Sequence, residues 1–153
     1  MDKTATYQLL VKQVESLIEG EDNTVGQLAN AAAILHETMK WWWTGFYLVK
    51  DGELQLGPFQ GPIACYRIKS GRGVCGTAWQ QDRTIVVPDV EQFPGHIACS
   101  SESRSEIVVP LHAPDGNVAG VLDIDSRELA TFDDVDAHWL QQIARVIEQQ
   151  VKL

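Results

Sequence analysis

The chain has 153 residues, 44% of them hydrophobic and 22% charged, which is enough for one core in a single domain over residues 1–153. Its formal net charge of −9 repels a phosphate backbone and the anionic face of a membrane, so nucleic acid and lipid are excluded as expected partners. Three cysteines, no signal-like N-terminus and no apolar run of membrane-spanning length point to the cytoplasm and away from a structural disulfide framework.

Apolar residues at Tyr7, Leu10, Val11, Val14, Leu17 and Ile18 predict an amphipathic helix over Thr4 to Glu19, closed by Gly20. A second helix follows, with a cap at Asn23-Thr24, a capping box between Thr24 and Gln27, and a stripe of Leu28, Ala32, Leu35 and Met39. Trp42 to Val49 and Glu53 to Gly57 read as strands of a hairpin turning on Asp51-Gly52. Tyr66 to Lys69 is a short strand, Gly76 to Gln81 a helix of about two turns, and Thr84 to Val87 a further strand. Asp89 to Ser103 has no periodicity and is expected to be a long ordered loop. Glu106 to His112 and Val118 to Ile124 form a second hairpin across Pro114-Asp115-Gly116-Asn117. A last helix begins near Thr131, with Asp133 and Asp134 at its positive end and a stripe of Val135, Trp139, Ile143, Val146, Ile147 and Val151. The order predicts an α+β domain in which an antiparallel sheet carries the two N-terminal helices and the C-terminal helix on one face.

The cysteines all fall between Ile63 and Val109, where glycines and prolines shape the backbone into tight turns. Gly71, Gly73 and Gly76 spell a dinucleotide fingerprint, but the next strand begins near Arg83, too soon for a parallel crossover. The glycines are better explained by sharp turning and close backbone approach. Cys75, at the start of the short helix, is either a buried structural thiol or one whose pKa the helix end lowers. His96, Cys65, Cys75 and Cys99 formally complete a zinc set, without the close C-x2-C spacing such sites favour, and a redox pair of thiols fits better. His36, His112 and His138 carry no assigned role.

Asp123 and Asp125 lie two apart on a strand and so face the same way, beside the expected position of Glu106. Carboxyls gathered in a partly closed pocket raise one another's pKa and can hold a proton for acid catalysis. Within Trp41-Trp42-Trp43 at least one ring belongs in the core, and the other face is free to line an apolar pocket.

Taken together, Trp43-Thr44-Gly45-Phe46-Tyr47, Leu56 to Gly61, Gly71 to Gly76, Val87 to Val90, Gly95 to Cys99, Ser105 to Pro110 and Leu122 to Ser126 resemble the free methionine-(R)-sulfoxide reductases, which are GAF-domain proteins. The resemblance runs nearly the whole chain and implies a GAF fold, free methionine-R-sulfoxide as substrate, and thioredoxin as the recycling reductant. It implies Cys99 as nucleophile, Cys65 as resolving thiol and Cys75 as the third cysteine. Trp43 matches the residue that packs on the substrate methyl, and Glu106, Asp123 and Asp125 match the acids around the sulfoxide. Ser100 departs from the family, which more often has Asp there. The expected chemistry passes through a sulfenic acid and an intramolecular disulfide, with no metal or organic cofactor, and a homodimer is compatible with it. The rival readings are a non-catalytic GAF sensor that binds a small ligand, expected to continue into an effector domain, and a zinc-stabilised binding domain.

Overall fold

The computed structural model describes residues 2–96 and 102–153, and its first described residue already caps a helix. The Asp2 carboxylate accepts from the Ala5 N–H and opens α1, Lys3–Ile18, whose buried stripe is Tyr7, Leu10, Val14 and Ile18. Asn23, not Thr24, caps α2, Thr24–Met39, by accepting from the Gly26 N–H. The capping box expected between Thr24 and Gln27 is therefore absent. Thr24 is already the first helical residue, and Gln27 is buried, its amide donating to the carbonyls of Ile18, Glu21 and Gln150. That side chain serves the ends of other segments, because their orphan carbonyls need donors more than the cap does.

Asp51 and Gly52 both take positive φ, 54° and 77°, as a two-residue hairpin turn demands, and join β1, Trp43–Lys50, to β2, Glu53–Gln60. Next come β3, Arg67–Ile68; α3, Gly73–Gln81; β4, Ile85–Val87; and a 3₁₀ turn, Val90–Gln92, inside the segment expected to be loop. The second hairpin pairs β5, Ser105–His112, with β6, Val118–Ser126, and α4, Asp134–Gln150, closes the described chain. The short helix starts three residues earlier than its pattern suggested, because the glycine run that hides its periodicity belongs to its first turn.

Among the described residues the strands form one sheet in the order β3-β2-β1-β6-β5-β4, with antiparallel pairing throughout. Alternation along the strands divides the interior in two. Phe46, Ile107, Val109, Leu111, Leu122 and Ile124 face α1, α2 and α4 in the larger core. Tyr47, Val108 and Val121 face the other way and pack with Val74, Cys75 and Ala78 of α3. The expected placement of the N-terminal and C-terminal helices on one face is met, and α3 lies on the opposite face, where Val90 of the 3₁₀ turn packs with it. The Trp41-Trp42-Trp43 run straddles this partition: Trp41 packs on Phe132 in the larger core, while Trp43 belongs to the smaller one.

The stripe expected on α4 needs correction. Val135 is exposed, and Leu140 and Ala144 are buried in its place. The cause is Asp136, which is 1% exposed and turns the start of the helix inward. Its carboxylate accepts from the buried Tyr7 hydroxyl, from the Lys3 ammonium at 2.7 Å and from the Asp133 N–H at 2.9 Å, closing a capping box with Asp133. Burial together with the adjacent Asp136 pushes the Tyr7 phenol well above its usual range, so it stays a donor. Removing the carboxylate takes the acceptor from three donors at once, one of them the buried Tyr7 hydroxyl. Asp136→Ala is expected to cost about 3 kcal/mol, read as a lowered urea midpoint, and Asp136→Asn less, because its amide oxygen still accepts from Tyr7.

Candidate active site

Strand register assembles the site. Asp125 lies opposite Glu106 on one side and opposite Trp43 on the other, and Asp123 sits two residues along β6 on the same face. The three acids thus converge under α3, as their spacing predicted. A partly open pocket is lined by these acids and by Trp42, Trp43 and Tyr47. Ile63, Arg72, Cys75, His96 and Ser103 complete its principal walls.

One wall is aromatic and locked. The Trp43 ring stacks on Phe59 at 5.1 Å between centroids and on Tyr47 at 6.0 Å, and its indole N–H donates to the Pro62 carbonyl at 2.9 Å. Tyr47 in turn donates its hydroxyl to the Cys65 carbonyl, also at 2.9 Å. A ring stacked against two aromatic neighbours and held at its polar edge offers a preformed apolar surface.

Beside it the lining is acidic. Glu106 and Asp123 are each 6% exposed, and Asp125 is half-buried with Oδ1 accepting from the Ser103 hydroxyl at 3.1 Å. Among the described residues no donor reaches Asp123 Oδ1. Burial is the first cause that pushes all three carboxyls up. For Glu106 and Asp125 the negative charge of Asp123 adds to it, while neighbouring hydrogen bonds restrain the rise of Asp123 itself. Three carboxyls so placed hold at least one proton where isolated ones would have lost it.

Cys75 resolves the alternative left open by the sequence. It stands in the first turn of α3, but it is 4% exposed and its thiol donates to Glu106 Oε2 at 3.9 Å. Burial, then the charges of Asp123 and Glu106, push the thiol well above its ordinary pKa and outweigh the helix end. Cys75 is a protonated, buried thiol. Cys65 is half-buried and engaged in a disulfide, while Cys75 is free. Cys99 and Ser100 lie outside the described residues, so the expected nucleophile is not placed by this geometry.

Among the described residues the donors best gathered for a metal are Cys75 Sγ and carboxylate oxygens of Glu106 and Asp123, all within 4.8 Å of one another. This is not the Cys3His set weighed from the sequence, and Cys65 in a disulfide has no thiolate to give it. The glycines of the 71–76 run behave as expected: Gly71 and Gly73 take φ of 78° and 64°, and a Cβ on Gly76 would lie 2.5 Å from the Lys69 carbonyl oxygen.

Sequence reasoning missed Tyr47 and Arg72. Tyr47 was signalled by its place four residues beyond Trp43 on one strand, although a register shift between Gly45 and Tyr47 blurs the alternation there. Arg72 stood in plain view inside the glycine run but pointed to nothing until α3 was seen to roof the pocket.

Comparison with known proteins agrees with this architecture. Residues 23–151 match the GAF domain. A free methionine-R-sulfoxide reductase of Escherichia coli is 45% identical over 150 residues, covering 97% of this chain and 90% of the relative. The crystal structure of the Neisseria meningitidis free methionine-R-sulfoxide reductase in complex with its substrate superposes with a TM-score of 0.96 at 53% identity, over 98% of this chain and 90% of that one. This chain belongs to the free methionine-R-sulfoxide reductases of the GAF family. Within the reach of that family also lies a Dictyostelium discoideum protein known as GAF domain-containing protein A, 56% identical over 95% of this chain and 92% of its own length. The reductase family that the motifs resembled is thus the one to which the chain belongs, and its antiparallel α+β fold is the one observed here.

Proposed function

We propose that this chain reduces free methionine-R-sulfoxide to methionine at the pocket beneath α3, with Cys99 as nucleophile and Cys65 as resolving thiol. The observation that carries the reading is the acid cluster of Glu106, Asp123 and Asp125 lining one pocket together with the locked Trp43 ring. A sulfoxide oxygen leaves only when protonated, and a sulfoxide methyl needs an apolar surface. The pocket supplies both.

The Cys99 thiolate attacks the sulfoxide sulfur while a carboxyl of the cluster, Asp125 or Glu106, protonates the oxygen. The protonated oxygen passes to the Cys99 sulfur as the S–O bond to the substrate breaks, the transient bond between the two sulfurs breaks with its electron pair left on methionine, and Cys99 is left as a sulfenic acid. The Cys65 thiol displaces water from it and forms the disulfide. An external dithiol, thioredoxin in this reading, takes the disulfide over and restores both thiols. That Cys65 is disulfide-bonded while Cys75 is free and held at Glu106 supports this division of labour. Arg72 gives the pocket a guanidinium suited to the substrate carboxylate. The whole chain serves as one catalytic domain in the cytoplasm. Among the described residues no helix is long and apolar enough to cross a membrane.

A thioredoxin-coupled assay on the separated R and S forms of free methionine sulfoxide tests the proposal. Turnover of the R form is expected; none by fully reduced protein would overturn it. If Trp43 packs on the substrate methyl, Trp43→Ala should lower kcat/KM by about 10-fold to 200-fold, with Trp43→Phe retaining most of the activity. Equal activity of all three proteins would remove Trp43 from the binding role.

A further inference from the structure

The segment that carries Cys65 presents two large apolar side chains to solvent. Ile63 is 89% and Tyr66 80% exposed, the highest values for large hydrophobic residues among the described ones. A slack backbone does not account for this exposure. The carbonyls of Pro62, Cys65 and Tyr66 accept from the Trp43 indole, the Tyr47 hydroxyl and the Leu56 N–H, each at 2.9 Å. The segment is pinned through its main chain while Tyr66 stays out altogether and Ile63, which also borders the substrate pocket, stays exposed beside it, which in a chain with this much buried apolar surface marks a contact site.

Charge singles out the same place. From Leu54 to Gln81 there is no Asp or Glu, whereas Arg67, Lys69 and Arg72 fall within that stretch, in a chain of net charge −9. All three are exposed, Arg67 in an ion pair with Glu53 at the edge of the stretch. An acidic macromolecule is repelled by most of this protein and attracted here. Between the apolar pair sits Cys65, half-buried and in a disulfide.

We propose that Ile63 and Tyr66, with the adjoining cations Arg67 and Lys69, form the docking surface for an acidic dithiol protein reductant that reopens the Cys65 disulfide. The inference rests on the reductase reading above and adds where and how its partner lands. A thiolate of the reductant attacks Cys65 Sγ, the intramolecular S–S bond breaks, and its electron pair leaves on the other cysteine's sulfur, which takes up a proton. The reductant's second thiol then attacks the mixed disulfide, releases Cys65 as a thiol and carries away the reductant's own disulfide. The apolar pair supplies contact area, and the cations steer the approach. A small dithiol performs the same exchange without needing the surface.

Tyr66→Ser and Lys69→Glu test this, since neither side chain lines the substrate pocket. Each is expected to raise the KM for thioredoxin about tenfold, and the KM of the unmutated protein should rise with ionic strength. Turnover driven by dithiothreitol, and methionine released in the first turnover of pre-reduced protein, should not change. An unchanged KM for thioredoxin in both variants would overturn the proposal. So would a parallel fall in dithiothreitol-driven turnover or a raised KM for the sulfoxide, either of which would assign the segment to the pocket. A lower sedimentation coefficient with unaltered thioredoxin kinetics would make the surface a contact between two copies of this chain. Failure of the unmutated, pre-reduced protein to form methionine at all is a separate result, which removes the reductase reading itself and the proposal with it.

Discussion

Cys99→Ser is expected to abolish methionine formation even in a single turnover of pre-reduced protein, because a serine hydroxyl at neutral pH has no significant anion to attack sulfur. Cys65→Ser should behave differently. It should release a single equivalent of methionine per chain at close to the unmutated rate and then stall, with Cys99 trapped as sulfenic acid. Cys75→Ala should complete the first turnover and still close its disulfide, since the Cys75 thiol is buried, protonated and held at Glu106. Quenched mixing with peptide mass mapping separates the outcomes. A Cys75 to Cys99 linkage in the unmutated protein after one turnover would transfer the resolving role to Cys75.

The acids carry the second large effect. Asp125→Asn and Glu106→Gln keep shape and much of the hydrogen bonding but remove a transferable proton, and general acid catalysis is typically worth about 10² to 10⁴-fold. Each variant is expected to slow the sulfoxide step by that order, and Asp123→Asn to weaken binding as well. The sign of the pH dependence follows from the raised pKa values of Glu106 and Asp125, caused first by burial and then by the Asp123 charge. The proton they share is present below the raised folded-state pKa and lost as pH rises through it, so the alkaline limb of the first-turnover profile belongs to the cluster. The acid limb belongs to the nucleophile, which must ionise. The amide variants should lose the alkaline limb. The same linkage acts on stability: groups protonated more readily folded than unfolded favour the folded state below the usual carboxyl range, and that contribution fades as pH rises. Relieving it, Glu106→Gln is expected to unfold at higher urea than the unmutated protein at pH 8. First turnovers at the unmutated rate in both amide variants would show that the cluster does not deliver the proton.

Local patterns made most of the fold legible. Period-3.6 stripes found α1 and α2, Asp51-Gly52 found the first hairpin, and the spacing of Asp123 and Asp125 put them on one face before any strand was paired. The errors share a cause. Asp136 was given no role beside Asp133 and Asp134, and Gln27 was read as half of a capping box, because the partners that bury them, Tyr7, Ile18 and Gln150, lie outside their own helical turn. Cys75 offered two opposite readings for the same reason: a helix start is visible in the sequence, whereas burial against three acids from β5 and β6 is not. Tyr47 and Arg72 reached the pocket only when the sheet and its α3 roof were assembled. Identity of the acids was local information; the energetics of their protons was not.

The sheet order has a further consequence for how the protein keeps itself from polymerising. Among the described residues its two outermost strands are also its shortest, β3 with two residues and β4 with three, while the long strands β1 and β6, rich in the branched and aromatic side chains that add readily to a growing sheet, are enclosed between neighbours, and β4 covers β5 from Glu106 to Val108. Edge strands of two or three residues offer another chain few free backbone groups to pair with, so fibril-like growth by addition to β3 or β4 has a poor template in the folded state. Aggregation is therefore expected to require opening of the sheet interior and to follow global unfolding, with thioflavin-positive material absent wherever the native circular dichroism persists.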